Sequence, residues 1–373
     1  MLKFTIEPYD VLFFGSGKPF NIGSNVESIF PPFPHSFSAA IYAKLVSETG
    51  ITINNGKGIY QAVYGPFIEK NGIIYFPSPC DILKEKKKED SIKFKIASRY
   101  EKDKFKLINI EDTDLENKID SLLWYKPDGK DSTDYEPFRG FITLEGLKKW
   151  YNDENIEKDD LLNYRDIFEN DERISISIDH NTGTVQTEDG LYRVNYLQLK
   201  KDVNFVFWVE ADFSDNSILK ENNINNNINN DNDFIKIFEK KPMVLKLGGE
   251  TKIAKYNVEI NDFKSLFNDF KENNVEIKKV LFLTFGIFVV NSQDQKDQSI
   301  SIIKKIGDFS TGAIDGYTIV GINSKYNNKY GKKTVRAIKP GSVVYLKNIN
   351  KNKIINFLNT DDSFIGSNLV LIK

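Results

Sequence analysis

Apolar and polar positions change period several times along the chain, and each change predicts an element. Leu2 to Phe14 is apolar with mixed alternation, which predicts a strand that stops at Gly15-Ser16-Gly17. Phe37, Ala40, Ile41 and Leu45 recur at helical spacing and predict a helix over 36–46. The stretch Ile59 to Tyr64 predicts one further helical turn, ended by Gly65-Pro66. Asn71-Gly72 between Phe67-Ile68 and Ile73 to Phe76 predicts a tight hairpin. Thr143 is a helix cap, with Leu147 and Trp150 on one face of the helix that follows. Residues 151–172 are acidic and compatible with helix. The strictest alternation is Arg173 to Ile178, with turn residues at 179–183 and returning strands over 184–187, 191–199 and 204–211.

The second half restarts after Asn222 to Asp233, a low-complexity Asn-rich run too polar to bury. A strand begins at Met243, and 252–258 alternates again. Asp262 caps a helix over 263–272, and 279–290 is an interior strand. Gly307, Gly312, Gly316 and Gly321 punctuate a second glycine-rich stretch, and strands over 335–347 and 364–372 close the chain. This order predicts an α+β protein of two units, each with helices on one face of an antiparallel sheet. Residues 1–220 form the first, with a charged insertion at about 81–136, residues 221–240 are a loop or linker, and 241–373 form the second.

Composition narrows the chemistry more than the fold. With 373 residues, 28 Phe and 17 Tyr, the chain can bury a large core. A single cysteine, Cys80, excludes an intramolecular disulfide framework, and two histidines, His35 and His180, argue against a histidine-rich metal centre. The longest apolar run, Val280 to Val290, is 11 residues and too short for a bilayer-spanning helix. Glu7 and Asp10 beside the first apolar residues do not fit a signal peptide, so a soluble cytoplasmic protein is expected. The formal net charge of -2 hides asymmetry: 10 basic and 5 acidic side chains lie in 84–106, 8 and 19 in 111–172, and 8 and 2 in 304–339. Such blocks suit a nucleic-acid surface on one part and a protein-facing surface on another, though solvated faces explain them as well.

Catalytic motifs are scarce. No G-x-S-x-G elbow occurs, Cys80 sits in a proline turn without a visible base, and His180 lies in a hairpin turn. The stretch IGDFSTGAIDG is not a Walker loop, because no Gly-Lys-Ser/Thr follows. Glu250, after Gly248-Gly249, is expected to fasten a glycine turn through backbone N–H groups. His35 stands beside a glycine-rich loop at a helix entry, where it could act as general acid or base in RNA cleavage or serve as an ordinary loop residue. The chemistry of residues 15–36 is that of a strand, a glycine turn, a rigid proline segment and a helix N-terminus that Ser36 can cap. Taken alone, an ordinary strand–loop–helix connection with core aromatics is the favoured reading, because a lone glycine-rich turn is a weak motif.

Several of these segments together resemble the CRISPR RAMP (repeat-associated mysterious protein) superfamily, and within it the third-subunit family of type III-B Cmr effector complexes. The resemblance rests on Glu7 to Phe14, Lys18-Pro19-Phe20 and Pro31 to Ser36. It continues through Gly140 to Thr143, Leu191-Tyr192-Arg193, Gly248-Gly249-Glu250, the Gly307–Gly321 stretch and Pro340 to Tyr345. Gly15-Ser16 stands where that family often has Arg-Asp, and Ala39 where it has glycine. The resemblance implies two ferredoxin-like (RRM-like) modules, no nuclease activity and no cofactor. It implies a subunit that holds the 5′ tag of the crRNA and touches the large polymerase-palm subunit and the first backbone RAMP subunit. Gly15, Gly17, Lys18, His35 and Ser36 would then line the tag path, with Arg139, Arg193, Gly307, Gly312 and Gly316 as further contacts. An endoribonuclease using His35 and a purely protein-binding scaffold are the alternatives.

Overall fold

The computed structural model describes residues 1–15, 25–50, 60–86, 92–101, 121–124, 134–176, 178, 182–185, 191–213, 228, 230–270, 278–287, 308–322, 333–348, 355–358 and 365–373. Its largest unit is an eight-stranded antiparallel sheet. In spatial order the strands are Leu161–Asn163, Gly140–Thr143, Ile73–Pro77, Tyr60–Lys70, Val203–Ala211, Leu2–Pro8, Ile253–Ile260 and Val244–Lys246. The central strands alternate, so the sheet has two apolar faces. Phe4, Ile6, Phe205, Phe207 and Tyr256 line one, and Tyr64, Phe67, Phe76, Val206 and Trp208 line the other.

Helices α1 (Pro34–Thr49) and α3 (Asp231–Phe238) cover the first face, through Phe37, Ile41, Leu45, Phe234 and Phe238. Helix α2 (Leu144–Tyr151) packs on the second through Leu147 and Trp150, so the helices do not all share one side. Thr143 caps α2, its hydroxyl accepting from Gly146 N at 3.0 Å. Opposite the second face lies a five-stranded antiparallel sheet, ordered Asp308–Ala313, Val343–Lys347, Lys278–Phe282, Leu369–Ile372 and Ile355–Phe357. It contributes Leu281, Val343, Tyr345, Leu369 and Leu371 to the same core. A three-stranded sheet of Gly286–Ile287, Lys333–Ile338 and Tyr317–Ile322 flanks it.

The structure revises several sequence expectations. Residues 60–64 are the start of a strand, not a helical turn, because they pair with Trp208 to Ala211. The 221–240 stretch does not separate two sheets, since Leu2–Pro8 pairs along its length with Ile253–Ile260. Helix α3 lies within that stretch, capped by the Asn230 side chain on Asp233 N, because Phe234, Ile237 and Phe238 give 231–238 an apolar face. The ends of the 81–136 insertion are structural: Asp81 and Ile82 are buried, and Ile82–Glu85 pairs with Phe94–Ile96 and Tyr135–Pro137. Asp262 does cap, but the turn it opens is a 3-10 turn over Phe263–Phe267 only. Among the described residues no helix is long and apolar enough to cross a membrane.

Candidate nucleic-acid interface

Two clusters gather most of the sequence segments singled out above, and residues 25–35 run between them. The first surrounds the end of the opening strand. Leu12 pairs with Leu197 through two backbone hydrogen bonds of 2.8 Å, which brings Phe13 beside the Leu191–Leu199 strand. Gly249 N donates to Phe13 O at 2.7 Å. Gly248 has φ +78, and a Cβ there would stand 2.5 Å from the same carbonyl. Glycine at 248 is therefore required by close backbone approach. Gly15 sits beside this contact, exposed and without a positive φ, so its glycine is not demanded by backbone conformation.

Tyr196 organises the side chains here. Its ring packs on Phe13 at 5.9 Å between centroids, with Lys252 Nζ 4.8 Å and Arg173 Cζ 5.4 Å from its own centroid. Its hydroxyl donates to the Glu250 carboxylate. Burial first, and that carboxylate second, push the phenol far above its ordinary range. Glu250 thus fastens the turn through Tyr196 rather than through backbone N–H groups. Asp10, held below the usual carboxylate range by the Val11 backbone N–H and next by Arg173, completes the ring of charges. Phe13, Arg173, Tyr196 and Lys252 escaped sequence reasoning. The one signal available is alternation, which puts Tyr192, Val194 and Tyr196 on one face of their strand. Arg193 falls on the other face, exposed and paired with Glu172 at 3.1 Å, so it does not join this cluster.

The second cluster lies where three glycine-bearing segments meet. Arg139 Nε stands 3.0 Å from Asp315 Oδ1, an ion pair without hydrogen-bond alignment. Asp315 N donates to Ser342 Oγ at 3.2 Å, and Cys80 N donates to Gly341 O at 2.8 Å. A Cβ on Gly341 would lie 2.6 Å from Ser78 O, and one on Gly140 would lie 2.4 Å from Leu162 O. Gly316, at φ +102, has nothing within 4 Å of a built Cβ, so its backbone is open on that side. Gly312 is a strand residue, where a Cβ would press on Val343 O at 3.0 Å. Burial raises the Cys80 thiol to about 12, which keeps it protonated and unreactive at neutral pH.

The connecting segment carries His35. Asn25–Glu27 pairs in parallel with Arg193 to Asn195, and Phe30 packs on Phe168 at 4.4 Å and on Tyr164 at 5.8 Å. Phe33 reaches Phe285 at 4.3 Å in a cluster with Ile287, Val320 and Ala337. Phe33 is the N-cap and makes no side-chain cap bond, so the helix starts at Pro34, ahead of the expected 36. Ser36 therefore lies inside the first turn and is not the cap. His35 stacks on Phe33 at 5.4 Å and 16°, with Nδ1 buried and unpartnered. Burial lowers its pKa to about 4, so the imidazole is neutral at pH 7. Gly17, Lys18, Gly307 and His180 lie outside the described residues.

Comparison with known proteins agrees with the sequence resemblance. The model of the family described as "CRISPR-associated protein (Cas_Cmr3)" matches residues 4–372. The "CRISPR system CMR subunit Cmr3" of Saccharolobus solfataricus is 24% identical over 379 residues, spanning 99% of this chain and 91% of that protein. A chain in the cryo-EM structure of the "Type III-B Cmr-beta bound to cognate target RNA" is 20% identical at a TM-score of 0.49, covering 92% of this chain and 86% of its own length. One in the "Csm3-Csm4 subcomplex in the type III-A CRISPR-Cas interference complex" is 14% identical at 0.43, covering 100% and 99%. The family match covers nearly the whole sequence, including every segment brought together in the two clusters. The chain belongs to the Cas_Cmr3 family of CRISPR-associated proteins.

Proposed function

We propose that this chain is a non-catalytic, cytoplasmic RNA-binding subunit of a type III-B CRISPR effector ribonucleoprotein. It holds the 5′ tag of the crRNA and bridges the large polymerase-palm subunit to the RAMP backbone. The antiparallel sheets correspond to two ferredoxin-like modules that share one core. One observation carries this reading. Segments far apart in sequence, at 13–15 with 248–250 and at 139–140 with 315–316 and 341–342, meet as glycine contacts with cations beside them. Beside these contacts Gly15 is exposed and Gly316 leaves its backbone open, so a ribose-phosphate backbone can approach there, and cations neutralise it. Residues 25–35 join the two clusters; Gly15, Gly17, Lys18, His35 and Ser36 are the residues expected to contact the tag. The stacking of His35 on Phe33, with Nδ1 buried, supports a contact or packing role over a catalytic one.

Filter binding with tag-bearing and tag-less RNA, in the presence of the partner subunits, tests this. Preference for the tagged RNA, weakened by Lys18→Ala, is expected. Equal affinity for both RNAs, unchanged by that substitution, sinks it.

A further inference from the structure

The Tyr317–Ile322 and Lys333–Ile338 strands bury one face and expose part of the other, where Ile338, opposite Tyr317, is itself buried in a neighbouring cluster. Val320 and Ala337 are buried against Phe33, Phe285 and Ile287. Side chains alternate along a strand, so Tyr317 and Ile319 point the other way, at 61% and 39% exposure. Arg336 is exposed on the facing strand, directly opposite Ile319 and diagonal to Tyr317. A diagonal neighbour lies within reach of aromatic and long side chains. The carboxylate nearest in sequence, Asp315, is already engaged by Arg139. Gly316 leaves the backbone before Tyr317 open.

We propose that Tyr317, with Arg336 beside it, is a stacking platform for one unpaired base of a single-stranded RNA. The inference rests on the RNA-binding reading above and adds where a base is held and in what state. A phenol ring offers a π-face to any base, and a guanidinium at the ring's edge neutralises the backbone that follows. An RNA duplex keeps its bases stacked inside, so this face distinguishes single strands from duplexes. A protein contact is the competing use of the same surface. Open glycine backbone next to an aromatic–arginine pair, with the neighbouring carboxylate occupied, favours RNA.

The test has two arms. Fluorescence anisotropy of the full chain measures affinity for a fluorescein-labelled single-stranded RNA of mixed sequence and for its duplex. Tyr317→Ala is expected to weaken single-strand binding by roughly 5- to 150-fold, the range for losing one base–aromatic stack. Tyr317→Phe retains it, duplex binding is unmoved, and Arg336→Ala flattens the logarithmic salt dependence by about 0.7. In the second arm, the chain is assembled with its partner subunits on guide RNA containing 4-thiouridine, and photocrosslinked peptides are mapped. Crosslinks within 308–322, lost in Tyr317→Ala, are expected. Crosslinks to this chain only elsewhere overturn the platform and leave the RNA-binding reading standing. No crosslink anywhere on the chain overturns both. Protection of Tyr317 from hydroxyl radicals without a crosslink identifies a protein contact and also overturns the platform.

Discussion

Removing the Asp81 carboxylate should loosen the joint between the two halves of the chain. Asp81 is fully buried and accepts three hydrogen bonds: from Trp150 Nε1 at 2.8 Å, Tyr345 Oη at 2.7 Å and Lys279 Nζ at 3.3 Å. Lys279 also stands 5.4 Å and 5.1 Å from the centroids of the Trp150 and Tyr345 rings, so its charge is enclosed by the same group. Its remaining carboxylate, Asp153, is exposed and 3.5 Å away. Asp81 and Trp150 come from the first half, and Lys279 and Tyr345 from the five-stranded sheet. Asp81→Ala strips a buried ammonium of its main counter-charge, leaves Trp150 Nε1 unpaired and leaves Tyr345 Oη with only its 3.3 Å bond to Ala97 O. Breaking a buried pair in this way costs about 3–5 kcal/mol, and the separate bonds do not add. At the usual unfolding entropy per residue, a chain of 373 residues loses about 4–6 °C in Tm. Differential scanning calorimetry measures this directly. The companion Asp81→Asn/Lys279→Met removes both charges and should recover more than half of the loss. A shift under about 1 °C for Asp81→Ala, or a double variant no better than the single, refutes the argument that this network couples the halves.

Three further outcomes follow from the same geometry. Gly248→Ala meets both a left-handed φ and the Phe13 carbonyl, so it should destabilise by about 2–4 kcal/mol, read as a fall in Tm, whereas Gly15→Ala should be nearly neutral. His35 has a folded pKa of about 4 against an ordinary 6.5, so on acidification the unfolded chain takes the proton first. Its contribution is complete above pH 6.5 and declines, by up to about 3 kcal/mol, as pH falls through 4. Denaturation midpoints of wild type and His35→Gln should converge over that window, and parallel pH curves contradict the assignment. Arg139→Ala removes an exposed cation and frees Asp315, and should weaken RNA binding by about 3- to 10-fold with a shallower salt dependence, checked by filter binding at several salt concentrations.

Local chemistry made parts of this fold legible in the sequence. Apolar strand patterns between turn residues mark the 191–199 and 203–211 strands, Asn71-Gly72 takes positive φ at both residues as a tight hairpin demands, and Thr143 caps its helix. What stayed hidden depends on contacts distant in sequence. The pairing of residues 60–64 with 208–211 overrides a short apolar run that reads as helix. The pairing of 2–8 with 253–260 carries one sheet across an Asn-rich segment that looks like a boundary. The candidate site divides in the same way. Glycines at 248, 316 and 341 are visible because left-handed backbone favours glycine, and the structure places them at φ +78, +102 and +87. Phe13, Tyr196 and Lys252 look like any strand residues until the tertiary fold brings them together. Arg193 shows the converse, since a charge in a recognisable motif is set by strand alternation on the face away from Tyr196.

The most direct test of the central claim is competition between tag-bearing and tag-less guide RNA for the assembled effector complex, prepared with and without this chain. The account predicts at least a tenfold preference for the tagged guide that disappears when this chain is omitted. Equal retention of both guides with the chain present, or an undiminished preference in its absence, contradicts it.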